Sequence, residues 1–131
     1  MIRPLIVPLR PDLLPGLHLL FDACNQAHVK EWVFNPRRCA LAVWKEEVVG
    51  FVACWWDKQP FAWVDLLLVH PKYRGQGIGP ALAWMIEALL VQEGAKGIRC
   101  VLDEDEELAS PLEKAGFVRI GHPLLMEKVY P

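Results

Sequence analysis

The sequence predicts an α/β protein whose core is one mixed sheet of about six to seven strands flanked by helices. Three observations lead there. Apolar, strand-like runs crowd residues 39 to 69. A strand, a glycine-rich turn, a long striped helix and a second strand then follow one another between Val64 and Leu102. Finally, an amphipathic helix near the N-terminus supplies an apolar side for the sheet's other face.

Ile2 to Arg10 alternates apolar and other residues around two prolines, as an edge strand does. Pro11-Asp12 opens a helix with Leu13, Leu14, Leu17, Leu20 and Phe21 on one side. A short second helix is expected around Asn25 to Glu31, closed by the turn Asn35-Pro36. Cys39 to Trp44 and Val48 to Trp56 form a hairpin about Lys45-Glu46-Glu47, and Asp57 to Pro60 turns the chain into the strand Phe61 to Val69. Within it, Val64 to Val69 has almost no polar relief, which suits a strand buried on both faces. Apolar residues at Ile78, Ala81, Leu82, Met85, Ile86, Leu89 and Leu90 then trace one side of a helix ending near Glu93, with Gly94 as a left-handed stop. Gly97 to Leu102 is a buried strand, and Ser110-Pro111-Leu112-Glu113 reads as a capping box opening a last short helix.

The stretch that carries chemistry lies between the strand and the long helix. Pro71 ends the ladder, three glycines alternate at Gly75, Gly77 and Gly79, and Pro80 fits a first helical turn. Backbone N–H groups beside a helix N-terminus bind phosphate. A Walker loop needs a Gly-Lys-Ser/Thr ending, which is absent. A dinucleotide turn needs Gly-x-Gly-x-x-Gly, and here the third glycine comes one residue early. An ordinary strand-to-helix turn with glycines for packing is the bland alternative. What fits is Arg74-x-x-Gly77-x-Gly79 preceded by Leu67-Leu68-Val69-His70-Pro71.

In those residues the chain resembles the GNAT acetyltransferase superfamily, whose signature is an Arg/Gln-x-x-Gly-x-Gly/Ala loop between strand and helix after a Val-x-Pro. Leu112-Glu113-Lys114-Ala115-Gly116-Phe117 is similar to the family's Tyr-Glu-Lys-x-Gly-Phe segment. The resemblance implies a GNAT-like acyl-CoA N-acyltransferase fold and transfer of an acetyl group from acetyl-CoA to an amine. It implies main-chain N–H groups of Gly75, Gln76, Gly77, Ile78 and Gly79 around the coenzyme pyrophosphate, with Arg74 and Pro80 in the same loop. It implies the pantetheine arm beside Leu67, Leu68 and Val69, where the sheet splays. A Glu or His that accepts the amine proton in several members falls on Asp65 or Trp63 here.

Asp65 is the only ionisable residue between Phe61 and Val69, so its charge needs a local reason. An apolar setting beside tryptophan is how a carboxylate is tuned to act as a base. Backbone donors at the strand's start would explain it equally well. Period-two alternation predicts Asp65 and Trp63 on one face. Trp63, Trp55 and Trp32 are candidates for the acceptor's surroundings, because an indole face holds a cationic or apolar amine; a plain core or dimer role competes. His70 is expected to be structural. The family's leaving-group Tyr is replaced by Leu112, which donates no proton, so solvent, Ser110 or Cys100 would have to serve.

Composition narrows the rest. A chain of 131 residues, 53% hydrophobic, is one domain over residues 1–131 with a substantial core and is not disordered. Net charge −2 with scattered basic residues argues against nucleic acid. No apolar run reaches the roughly 18 residues that cross a membrane. Four dispersed cysteines read as reduced residues of a cytoplasmic protein. Cys24 and His28 alone have ligand spacing, so no metal is expected. A second apolar stripe at Trp84, Ala88 and Val91 hints at a homodimer. The rival readings are a non-catalytic acyl-CoA sensor of the same fold and an unrelated nucleotide-binding module.

Overall fold

The computed structural model describes residues 2–31, 38–101, 109–121 and 125–131. In chain order these form β1 (Leu5–Pro8), α1 (Leu14–Ala23), β2 (Arg38–Trp44), β3 (Glu47–Trp55), β4 (Phe61–Val69), α2 (Ile78–Glu93), β5 (Gly97–Val101), α3 (Ala109–Lys114), β6 (Val118–Gly121) and β7 (Leu125–Val129). The seven strands make one sheet in the order β1-β2-β3-β4-β5-β7-β6. Among the described strands only β4 and β5 are parallel, as a strand–helix–strand crossover requires. The mixed sheet with helices on both faces is the architecture expected from the sequence.

Two apolar clusters sandwich the sheet. On one face Leu82, Ile86 and Leu90 of α2 meet Val49, Val52, Leu67, Val69, Ile98 and Met126, with Leu112 of α3 joining them. On the other, Leu17, Leu20 and Phe21 of α1 cover Leu41, Phe51, Ala53 and Leu68. Close approach of α2 to β3 depends on Gly50: a Cβ there would come within 2.8 Å of Ile78 Cγ2 and 2.9 Å of Leu82 Cδ1. Gly50→Ala should therefore cost about 1–3 kcal/mol by overpacking, read from the urea midpoint. An unchanged midpoint would show that α2 slides without penalty.

Several local expectations change. The segment around Asn25–Glu31 is a 3-10 helix, Ala27–Glu31. The hairpin turn is two residues, Lys45 (φ 49°) and Glu46 (φ 66°), both left-handed as a twist-matched two-residue loop demands. Neither is glycine, so Glu46→Gly should raise stability by roughly 1 kcal/mol, seen as a higher Tm. Ser110 does not precede the last helix, since α3 starts at Ala109. In β4 only Ala62 and Leu67 to Val69 are buried. The Val64–Leu66 stretch is not enclosed on both faces, because β4 leaves its parallel partner there. By contrast α2 begins and ends where its pattern puts it, with Gly94 at φ 103°.

Candidate functional site

A wedge opens in the middle of the sheet. β4 and β5 pair only through Phe61, Ala62 and Trp63 with Gly97, Ile98 and Arg99. Beyond Trp63, β4 continues for six residues without a β5 partner, while Cys100 and Val101 remain paired to β7 on the far side. A β-bulge coincides with the divergence: Val64 faces Cys54 and Leu66 faces Ala53, leaving Asp65 as the extra residue. Bulges bend a strand and re-aim a side chain. Ala62 and Val64 pack with the α2-side cluster, and so do Leu67 and Val69, so the parity of the strand changes across Asp65. Simple alternation from Trp63 consequently does not place Asp65. The residue is exposed, so the apolar enclosure expected around it is not there. The bulge, not burial, sets its position at the wedge.

Which main-chain groups face the wedge follows from the ladder. The His70 N–H donates to Val49 O at 2.8 Å. Antiparallel pairing alternates these groups residue by residue, so Leu68 also gives its N–H and C=O to β3, and Leu67 and Val69 turn theirs toward the wedge. The Val69 carbonyl accepts the Arg74 Nε–H at 3.2 Å and lies 3.6 Å from Cys24 Sγ. Arg74 thus folds back over the strand end and clamps the turn. Burial raises the Cys24 thiol above its ordinary value, against the opposing Arg74 guanidinium. Side chains of Leu67, Leu68 and Val69 are core on both faces.

The turn after the strand is a short 3-10 helix, Pro71–Tyr73, capped by His70, whose Nδ1 accepts the Lys72 N–H at 3.1 Å. Glu47 accepts the Tyr73 hydroxyl at 3.0 Å and stands 3.8 Å from His70 Nε2. The histidine thus caps the turn that follows the strand. Gly75 (φ 79°) and Gly77 (φ 82°) are both left-handed, a condition that only glycine meets without strain. Conformations of opposite hand in succession curl main-chain N–H groups into a concave anion site. Gln76, between them, uses its side chain to accept the Ile2 N–H at 3.2 Å and ties the N-terminal segment to the loop. Gly77 is the N-cap of α2, and the helix's first bond is Ala81 N–H to Gly77 O at 3.2 Å. The Ile78 and Gly79 amides therefore have no intrahelical acceptor, and the helix adds about half a positive charge there. Pro80, in the first turn, has no N–H to contribute.

On the face opposite α2, Trp55 and Trp63 are cross-strand neighbours, 40% and 38% exposed. Trp56 differs: it is buried and its indole N–H donates to Gln59 O at 2.7 Å. Trp32 lies outside the described residues. Leu112, at the position of the family's tyrosine, is a core residue. Burial pushes the Cys100 thiol up to about 11. Among the described residues no group of three or more His, Cys, Asp or Glu could hold a metal ion, and no helix is long and apolar enough to cross a membrane.

The sequence reading missed Arg99 and Glu127. They pair across β5 and β7, Arg99 Nε donating to Glu127 Oε1 at 3.1 Å. A lone charge inside the apolar run Gly97–Leu102 was the available signal, the same one that singled out Asp65.

An acetyltransferase family profile, described as the acetyltransferase (GNAT) family, matches residues 8–117. The chain belongs to the GNAT acetyltransferase family. This acetyltransferase shares its fold with several solved structures. The ribosomal-protein-S18-alanine N-acetyltransferase from Escherichia coli is 15% identical with a TM-score of 0.78, covering 97% of this chain and 94% of that one. The aminoglycoside 6'-N-acetyltransferase from Enterococcus faecium is 20% identical, TM-score 0.79, with coverage of 97% and 98%. The PaiA N-acetyltransferase from Thermoplasma acidophilum, solved in complex with coenzyme A, is 16% identical, TM-score 0.79, with coverage of 98% and 100%. No curated protein sequence matches the chain significantly.

Proposed function

We propose that this GNAT family member is an N-acetyltransferase that moves an acetyl group from acetyl-CoA to a primary amine, within one domain spanning residues 1–131. The observation that carries the reading is the β4–β5 wedge opening beside the N-terminus of α2. Main-chain amides of residues 75 to 79 would hold the pyrophosphate, and the groups of Leu67 and Val69 that face the wedge would hold the amide-like pantetheine arm. Coenzyme A bound to a structural neighbour supports this use of the fold.

The reaction needs a positioned thioester and a deprotonated amine. Asp65, at the bulge and in contact with water, would take the amine proton directly or through a water molecule. The amine then attacks the thioester carbonyl in a ternary complex, with no enzyme-bound acyl group. Leu112 cannot protonate the departing thiolate, so solvent reaching the wedge serves instead. Trp55 and Trp63 would flank the acceptor.

The test is release of free thiol from acetyl-CoA across a panel of amines, alongside acetyl-CoA-dependent thermal stabilisation. Stabilisation without thiol release would favour the acyl-CoA sensor, and stabilisation by ATP or NAD alone would favour a nucleotide module. None of the four cysteines is joined in a disulfide among the described residues, which supports a reducing, cytoplasmic setting. Exposed Trp84, Ala88 and Val91 on α2 support a homodimer, which sedimentation would reveal.

A further inference from the structure

We infer that Arg99 makes this enzyme select amine acceptors that also carry a carboxylate, of the kind a free amino acid or a peptide end presents. The inference rests on the acetyltransferase reading above.

Arg99 stands opposite Trp63, at the last β4–β5 pair before the wedge opens. Ile98 and Cys100 on either side of it belong to the α2-side core, and so do Ala62 and Val64 on either side of Trp63. Both side chains therefore emerge on the face away from α2, beside Trp55. A substrate amine reaching the wedge from that face passes Arg99.

The guanidinium is held before any ligand arrives. It lies 3.9 Å from the Phe61 ring centroid and 6.0 Å from that of Trp63. Glu127 fixes its Nε at 3.1 Å. Space for the Phe61 ring exists because residue 97 is glycine: a Cβ there would lie 2.6 Å from Phe61 Cε1. Among the described residues only the Nε of this side chain is engaged in a hydrogen bond, and the two terminal nitrogens have no hydrogen-bond partner among them. The side chain is 34% exposed and that of Glu127 19% exposed. A planar fork with fixed orientation and unspent donors matches a carboxylate in bidentate fashion. Little side-chain entropy is lost on binding, since the stack and the Glu127 contact have already ordered it. Glu127 balances the charge before a ligand arrives, and of the pair the arginine is the more exposed partner.

The experiment compares acceptors matched in length, with and without a carboxylate: α-amino acids against their amides, and ω-amino acids against alkylamines. Steady-state thiol release gives kcat/KM for each pair in wild type, Arg99→Gln and Arg99→Lys. The diagnostic quantity is the acid-to-neutral ratio in wild type divided by that in the variant, because intrinsic amine basicity cancels. A charge-assisted bidentate contact predicts a quotient of roughly 10- to 100-fold for Arg99→Gln, carried by KM. Arg99→Lys should recover part of it, keeping the charge but losing the fork. Thermal stabilisation by acetyl-CoA, measured on each variant, confirms that the fold and coenzyme site persist. A quotient near one with active enzyme overturns the role of Arg99 and leaves the acetyltransferase reading standing. No thiol release with any amine overturns both.

Discussion

Replacing Asp65 with Asn is expected to lower turnover roughly 100-fold or more while leaving acetyl-CoA affinity unchanged. The amide keeps the shape and the bulge, and it removes only the ability to accept a proton. Because Asp65 is exposed, water can reach the same place, so a residual rate carried by hydroxide or buffer should remain and rise with pH. Turnover measured against pH separates the two routes: the variant's profile should climb steadily where the wild type levels off. Turnover equal to wild type at neutral pH would remove Asp65 from the mechanism, and the carboxylate would then be a bulge-stabilising group.

Gly77→Val should weaken acetyl-CoA binding by roughly 100-fold, the equivalent of losing two charge-assisted hydrogen bonds of about 1.5 kcal/mol each. A β-branched side chain at φ 82° is strained, so the loop has to move to relieve it, and the amides on either side lose their shared direction. Gly94→Ala provides the comparison. Gly94 has an equally left-handed φ of 103°, has open space within 4 Å of where a Cβ would sit, and lies at the other end of α2. That change should cost about 1 kcal/mol of stability and leave coenzyme affinity alone. Calorimetric titration of both variants decides the matter. If Gly77→Val binds acetyl-CoA as wild type does, the amides of residues 75 to 79 are not what grips the coenzyme.

The parts of the fold that were legible are those written in short-range chemistry. The α2 stripe, its proline in the first turn and its glycine stop all lie between Ile78 and Gly94, and the boundaries follow from capping rules. The hairpin was legible for the same reason, although its turn proved to be two left-handed non-glycine residues, which no turn signal in the sequence advertises. The loop glycines were legible because left-handed backbone has few alternative residues. Asp65 stood out by contrast with its neighbours, but its surroundings did not, since one extra residue in β4 resets the alternation beyond it.

By itself, then, the order of residues determined α1, α2 and the glycine-rich turn before α2, because each rests on contacts between residues close in the chain. The tertiary structure alone decided where β4 and β5 part, which main-chain groups point into that gap, and that Arg99 lies over Phe61 of β4 and meets a glutamate 28 positions away on β7. Those features depend on the register between strands distant in sequence, and register is settled by how the whole sheet packs against its helices, not by any local pattern.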